Sequence, residues 1–105
     1  MTSEGERPGA APGPRARLRR VEGIAWRVIE GEAVLVNVRR DEVLHLNPTA
    51  SFLWSGLDGG KTLAVIAAEM AGEFEVTEEE ALADILEFAG LLLQQGVAEL
   101  VDLGE

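Results

Sequence analysis

The spacing of apolar residues changes once along the chain, near residue 47. Before this point, three short runs of aromatic and β-branched residues alternate with charged or glycine-containing turns, which is typical of strands. We predict strands over residues 24–30, 33–38 and 43–46. Short connections between consecutive strands favour an antiparallel meander. We expect the third strand at an edge, with Leu44 and Leu46 on one face and Val43 and His45 on the other.

After residue 47, apolar residues recur every three or four positions, as in helices with one buried face. Asn47-Pro48 is the first start signal, because Asn caps helices and Pro is tolerated at the first helical position. Thr62 caps a second helix, and Thr77 with Glu80 forms the capping box of a third. We predict helices over 48–57, 63–71 and 78–95, a turn at 58–61, a helix end at Gly72, and a terminal strand or extended return at 97–101. The fold class is therefore α+β, a three-stranded antiparallel sheet followed by three helices.

The third helix carries more apolar surface than one packing face requires. One stripe has Ile85 and Leu92 at its edge, and three further residues widen the apolar arc. The stripe is Leu82, Leu86, Ala89 and Leu93, and the additional residues are Ala81, Phe88 and Leu91. Two interpretations stay open: the strands cover the surplus, or it is a second surface for a partner.

Length and composition indicate one domain in a reducing compartment. The chain has 105 residues and no cysteine, so it has neither disulfides nor a thiolate metal site. No apolar run approaches the roughly 20 residues that span a bilayer, and the N-terminus lacks a signal-peptide core. We expect a cytoplasmic protein that does not contact membranes.

Charge divides the chain into two parts. Residues 1–20 hold five of the nine basic residues and are rich in Pro, Gly and Ala, so we predict a disordered basic tail followed by a domain over 21–105. The whole chain carries a net charge of −10, and the tail is positive, so the domain is strongly acidic. Phosphate backbones repel such a domain, and we expect no nucleic-acid partner.

No group of residues composes a reaction centre. His45 is the only histidine, and a lone imidazole among scattered carboxylates is a poor catalyst and a poor metal site. The acidic run 78–80 fits a helix N-terminus, and 58–61 lacks the spacing of a phosphate-binding loop. Trp26 and Trp54 are interpreted as core anchors. We expect a protein that is not an enzyme and holds neither a metal nor another cofactor.

An edge strand beside a helix with surplus apolar surface suits one mode of recognition. An extended peptide can add to the open strand, so that backbone hydrogen bonds supply affinity and alternate side chains contact the helix. An unoccupied edge would otherwise be a site of unwanted pairing.

The segment LHLNPTASFLWSGLDGGKTLAVIAAEM and the third-helix sequence ALADILEFAGLLLQQGV resemble the PqqD-like family. Members of this family are recognition elements for ribosomally synthesised and post-translationally modified peptides (RiPPs). The resemblance covers residues 22–101, and its most specific parts are 46–50, 58–62, Asp84 and Gly96-Val97. It implies a winged-helix-like fold that binds the leader of a precursor peptide between the third strand and the third helix. The protein would present this precursor to a radical SAM enzyme, as in PQQ biosynthesis, or to a leader protease, as in lasso-peptide pathways, and we favour the lasso setting.

The resemblance also implies which residues line the groove. Asp84 would pair with a leader Lys or Arg, and Phe88 with its apolar neighbours would hold leader side chains. The full set is Val43, Leu44, His45 and Leu46 on the strand, and Asp84, Ile85, Phe88, Leu91 and Leu92 on the helix. The alternatives are a winged-helix DNA-binding regulator, which needs a basic recognition helix, and a subunit of a larger enzyme without peptide specificity.

Overall fold

A computed structural model describes residues 12–102, which form six strands and three helices. The elements in chain order are β1 (Arg17–Arg20), β2 (Ile24–Ile29), β3 (Glu32–Asn37), β4 (Glu42–His45), α1 (Pro48–Ser55), β5 (Asp58–Thr62), α2 (Leu63–Phe74), α3 (Glu78–Gln94) and β6 (Ala98–Asp102). They build two antiparallel three-stranded sheets, one in the order β5-β1-β6 and the other in the order β2-β3-β4. The predicted α+β class, with an antiparallel meander followed by three helices, is confirmed.

Local capping chemistry starts each helix at the predicted residue. The Asn47 side chain accepts a hydrogen bond from the Ala50 N–H at 2.9 Å, and Thr62 caps α2 in the same way. At α3, Thr77 Oγ1 accepts from the Glu80 N–H at 3.1 Å, while Glu80 Oε1 accepts from the Thr77 N–H at 3.3 Å. These bonds satisfy backbone donors that would otherwise be unpaired in the first turn.

The predicted end of α2 at Gly72 is wrong. The helix continues to Phe74, and the chain leaves it at Glu75, whose φ of 58° is left-handed. Phe74 packs edge-to-face on Phe52 of α1, with ring centroids 5.8 Å apart. This aromatic contact offsets the modest cost of a glycine within the last turns of a helix.

The segment 58–61 is a strand rather than the predicted turn. As β5 it pairs antiparallel with β1, and Gly59 takes a φ of 85° that few other residues adopt. The Asp58 carboxylate accepts the Gly60 N–H at 2.8 Å. Pairing with a distant strand here outweighs the local turn preference of the sequence.

The expectation of a disordered tail up to residue 20 is wrong for residues 12–20. Residues 17–20 form β1, the central strand of its sheet, and Ala16 and Leu18 are completely buried. The backbone just before β1 also accepts hydrogen bonds from α2, between Leu63 N–H and Ala16 O at 3.0 Å and between Ala64 N–H and Pro14 O at 2.8 Å. The rest of the predicted tail, residues 1–11, lies outside the described residues.

The two tryptophans occupy different depths. Trp54 is fully buried, as predicted, whereas Trp26 is 39% exposed at the rim of the core. Their rings meet edge-to-face at 5.7 Å, and the Arg20 guanidinium lies 4.9 Å from the centre of the Trp26 ring. Arg20 Nη1 also donates to the Trp54 carbonyl at 2.8 Å. Arg20 therefore joins β1 to both α1 and β2.

No helix in the described part of the chain is long and apolar enough to cross a membrane.

Candidate functional site

β4 is an edge strand, as predicted. It pairs with β3 on one side, and within residues 12–102 no strand pairs with its other side. The Leu46 N–H donates to the Ala33 carbonyl at 2.9 Å, which makes these two residues a hydrogen-bonded pair. Because hydrogen-bonded and non-hydrogen-bonded pairs alternate in antiparallel ladders, Leu44 opposite Leu35 is a hydrogen-bonded pair as well. The backbone N–H and C=O groups of Val43 and His45 therefore point toward the open edge.

Ser51 ends the β3–β4 ladder. Its hydroxyl accepts from the Ala33 N–H at 2.7 Å and donates to the Leu46 carbonyl at 3.1 Å, so it bridges the last pair of the ladder. Ser51 is only 3% exposed, and its hydroxyl satisfies two buried backbone groups that would be costly to leave unpaired. Leu46 itself is 8% exposed, and its backbone is already bonded, so it contributes to the scaffold rather than to the open edge.

Arg40 ties the start of β4 to the end of α3. Its Nη1 donates to the Gln95 carbonyl, the C-cap of α3, at 2.6 Å, and its Nε lies 3.7 Å from Glu42 Oε1. Gly96 has a φ of 77°, and a Cβ there would lie 3.1 Å from Arg40 Nη1. Sequence analysis missed this residue, since two consecutive arginines in a polar turn do not indicate which one reaches the helix.

Three predicted residues of α3 carry accessible surface. Asp84 is exposed, Phe88 is half-buried and Leu91 is 49% exposed, and their spacing puts them along one side of the helix. Phe88 and Leu44 both pack against the same hydrophobic core from their two elements. The same hydrophobic core therefore supports the side of α3 that carries Phe88 and the inner face of β4.

Two other predicted groove residues, Ile85 and Leu92, belong to the core. Their exposed fractions are 0% and 1%, so they have no surface to offer a ligand. Ala81 and Ala89 are also completely buried. The buried stripe is therefore centred on residues 81, 85, 89 and 92 instead of on the predicted leucines.

Val43 and His45 point to the outer face of the sheet. Val43 lies opposite Val36, and His45 lies opposite Val34, whereas Leu44 shares the inner face with Leu35. Val43 is 56% exposed and His45 is exposed. Among residues 12–102, no group of three His, Cys, Asp or Glu side chains is placed to hold a metal ion.

The helix side of the site is acidic. Within α3, Asp84 and Glu87 are exposed beside Phe88, three more acids lie in the first turn, and the helix has no Lys or Arg. A cationic segment lying along this helix would therefore find a favourable potential. The arrangement offers an open strand edge, apolar contacts and negative charge.

Comparison with known proteins relates this arrangement to one family. Residues 32–98 match the family model described as coenzyme PQQ synthesis protein D (PqqD). No curated protein sequence matches the chain.

Three solved structures share the fold. A lasso peptide synthetase B1 complexed with the leader peptide is 28% identical, with a TM-score of 0.70 over 80% of this chain and 99% of that one. TbiB1 in complex with the TbiA(beta) leader peptide is 22% identical, with a TM-score of 0.69 over 77% and 94%. The PqqD truncation of Methylobacterium extorquens PqqCD, a stand-alone RiPP recognition element, is 25% identical, with a TM-score of 0.70 over 86% and 95%.

Proposed function

The chain belongs to the PqqD family, and from this premise we propose that it binds the leader region of a ribosomally synthesised precursor peptide. Two structures of similar fold are named as complexes with leader peptides, and a third is named as a stand-alone recognition element. The chain covers nearly the whole length of all three. The protein binds the leader without catalysing a reaction on it.

The open edge of β4 is the single observation that carries the proposal. Val43 and His45 direct backbone donors and acceptors away from β3, where no strand of residues 12–102 pairs with them, and an extended leader adds there as a fourth strand. Leader side chains on the inner face contact Leu44, Phe88 and Leu91. Leader side chains on the outer face lie beside those of Val43 and His45.

Asp84 gives this site a preference for leaders that carry positive charge. Its exposed carboxylate pairs with a leader Lys or Arg, and Glu87 adds to the negative potential. Exposed ion pairs contribute at most about 1 kcal/mol each and weaken as salt rises. Backbone pairing and apolar burial therefore provide most of the affinity, while the acids select among leaders.

The bound precursor is presented to a second protein that carries out the chemistry. A leader protease of a lasso pathway and a radical SAM enzyme are the two candidate partners, and the lasso setting remains the favoured prediction. The genes next to this one distinguish the two candidates. A precursor gene beside a transglutaminase-like protease gene indicates the leader protease, and a precursor gene beside a radical SAM gene indicates the radical SAM enzyme.

The acidic third helix opposes the alternative of a DNA-binding regulator. A recognition helix needs Lys or Arg to neutralise phosphates, and α3 has none over its 17 residues. We expect no gel shift with duplex DNA at physiological salt.

The direct test is leader binding by the full chain. A fluorescein-labelled leader encoded beside the gene is titrated with the protein, and polarisation gives Kd. A scrambled peptide of identical composition is the control, because it keeps the charge and loses the order of side chains. We expect saturable binding that is at least tenfold tighter for the native order. Equal affinity for the two peptides, or no binding, refutes the proposal and favours a subunit without peptide specificity.

A further inference from the structure

One row on the outer face of the β2-β3-β4 sheet is apolar although it is exposed to solvent. The register puts Ala25, Val36 and Val43 in one row across the three strands, and Arg27, Val34 and His45 in the next. Val36 is 36% exposed and Val43 is 56% exposed. We call these six residues the valine face.

The outer face of the other sheet has the opposite character. There the corresponding row is Asp58, Arg19 and Glu99, and Arg19 Nε donates to Glu99 Oε2 at 2.6 Å. This sheet also has three antiparallel strands and one solvent-facing side, so the fold accepts a charged outer row. The exposed apolar row of the valine face differs from this charged row, and exposed apolar surface points to a contact with another molecule.

We propose that the valine face docks the enzyme that modifies or cleaves the leader-bound precursor. This inference rests on the proposed function, because it takes the leader to be the strand added at β4. The enzyme contacts the central row through an aliphatic patch of its own. It binds the complex of protein and leader more tightly than it binds the protein alone.

Continuity between the valine face and the peptide edge identifies this occupant. Val43 and His45 lie on the valine face, and their backbone groups point to the edge that takes the leader. A fourth strand extends each row by one residue, so alternate leader side chains join the face. A protein docked there covers both the recognition element and half of the leader side chains. Recruitment of the enzyme therefore depends on the leader.

Arg27 defines the charge of the docked surface. It lies in the second row, exposed, and within residues 12–102 its guanidinium makes neither a hydrogen bond nor an ion pair. A carboxylate on the enzyme facing Arg27 complements it, while the valines around it bury apolar area. Since burial of apolar surface is only weakly affected by salt, enzyme docking depends less on ionic strength than an all-charged interface would.

Val36→Lys tests the proposal at the centre of the face. Val36 is on the middle strand, outside the leader site, and a long Lys stem can lie along the sheet with its charge in water. Ala25→Lys, on the edge strand of the same row, adds charge without removing a large apolar side chain. Val101→Lys, on β6 of the other sheet and 46% exposed, is the matched control.

Two titrations separate docking from leader binding. Labelled leader is titrated with each variant, and the maturation enzyme from the same gene neighbourhood is then titrated with each leader-bound complex by calorimetry. We expect Val36→Lys and Ala25→Lys to weaken enzyme binding at least tenfold and to leave leader Kd within about twofold. Val101→Lys changes neither, and omitting the leader weakens enzyme binding to the parent protein at least fivefold.

The results distinguish a failure of the proposed function from a failure of the docking face. Failure of the parent protein to bind leader refutes the proposed function itself. Normal leader binding with unchanged enzyme affinity for both lysine variants refutes the docking face alone. Sedimentation that shows a dimer of the parent protein and a monomer of Val36→Lys assigns the face to a second copy of this chain, and it also overturns the proposal.

Discussion

The two sheets have the same size and strand direction, and they differ in what they leave open. In the β5-β1-β6 sheet, the central strand buries Leu18 completely, and the outer row pairs Arg19 with Glu99. In the β2-β3-β4 sheet, the outer row is Ala25, Val36 and Val43, and within residues 12–102 β4 pairs with a strand on one side only. The first sheet thus has a charged outer row, whereas the second leaves an apolar row and a strand edge exposed, and these are the two surfaces that we propose for other molecules.

The largest expected effect is the loss of folding stability caused by Leu18→Ala in the β5-β1-β6 sheet. Leu18 is 0% exposed on the central strand, and truncating a buried leucine costs about 2–5 kcal/mol because a cavity remains. We expect the free energy of unfolding to fall by that amount in urea denaturation. Leu100→Ala, the same change at its 42% exposed cross-strand neighbour, should cost less than about 1 kcal/mol. Equal losses would mean that β1 is not the centre of the sheet.

The next largest effect is on leader affinity through Phe88→Asp. A charge replaces half-buried apolar surface on the side of α3 that we propose contacts the leader, so Kd should rise more than tenfold while the circular dichroism spectrum stays native. Leu91→Asp repeats the test at a residue that is 49% exposed, where loss of core packing is small.

Val65→Asp provides the matched control for the helix side. Val65 is 45% exposed on α2, near a helix N-terminus that tolerates an acid. Leader affinity should stay unchanged in this variant. A similar loss in Val65→Asp and Leu91→Asp would show that added negative charge, rather than the position on α3, is responsible.

A smaller loss is expected from Val43→Pro, which removes one donor from the open edge. The Val43 N–H points away from β3, so proline leaves the β3–β4 ladder intact. One hydrogen bond contributes about 0.5–1.5 kcal/mol, which corresponds to a rise in Kd of roughly two- to tenfold in the polarisation assay. Val43→Thr keeps the N–H and the branched shape, and it should bind like the parent. Parent-like binding by Val43→Pro would remove this donor from the ladder.

The second sheet was predictable from sequence because its signals are local. Alternating residues, short turns and three caps at Asn47, Thr62 and Thr77 each act within a few positions. β1 and β5 were missed because neither resembles a strand on its own. β1 and β5 are strands because they pair with each other, although about 40 residues of chain separate them. Local propensity does not report such a long-range contact.

The buried face of α3 was predicted only in part, for a different reason. Apolar residues cover so much of α3 that their period does not specify which stripe faces the core. The structure buries the stripe of Ala81, Ile85, Ala89 and Leu92, in which two of the four residues are alanines that contribute little to an apolar pattern. Asp84, Phe88 and Leu91 are left with accessible surface.

The smallest expected effect is on the Tm of an Asp58 variant. The pH dependence of this effect distinguishes the outer rows of the two sheets. The hydrogen bond from the Gly60 N–H, assisted by the charge of Lys61, holds the pKa of Asp58 below its usual 3.8. A depressed pKa means that the charged carboxylate stabilises the fold above the unfolded pKa, and this stability is lost as pH falls through the folded value. Asp58→Asn should therefore lower Tm slightly at pH 7 and by less at pH 2, as measured by thermal unfolding at both values. The valine row has no such group among Ala25, Val36 and Val43, so Val36→Thr should change Tm by the same amount at the two pH values. A pH-independent effect of Asp58→Asn would show that its carboxylate has no special role in ordering β5.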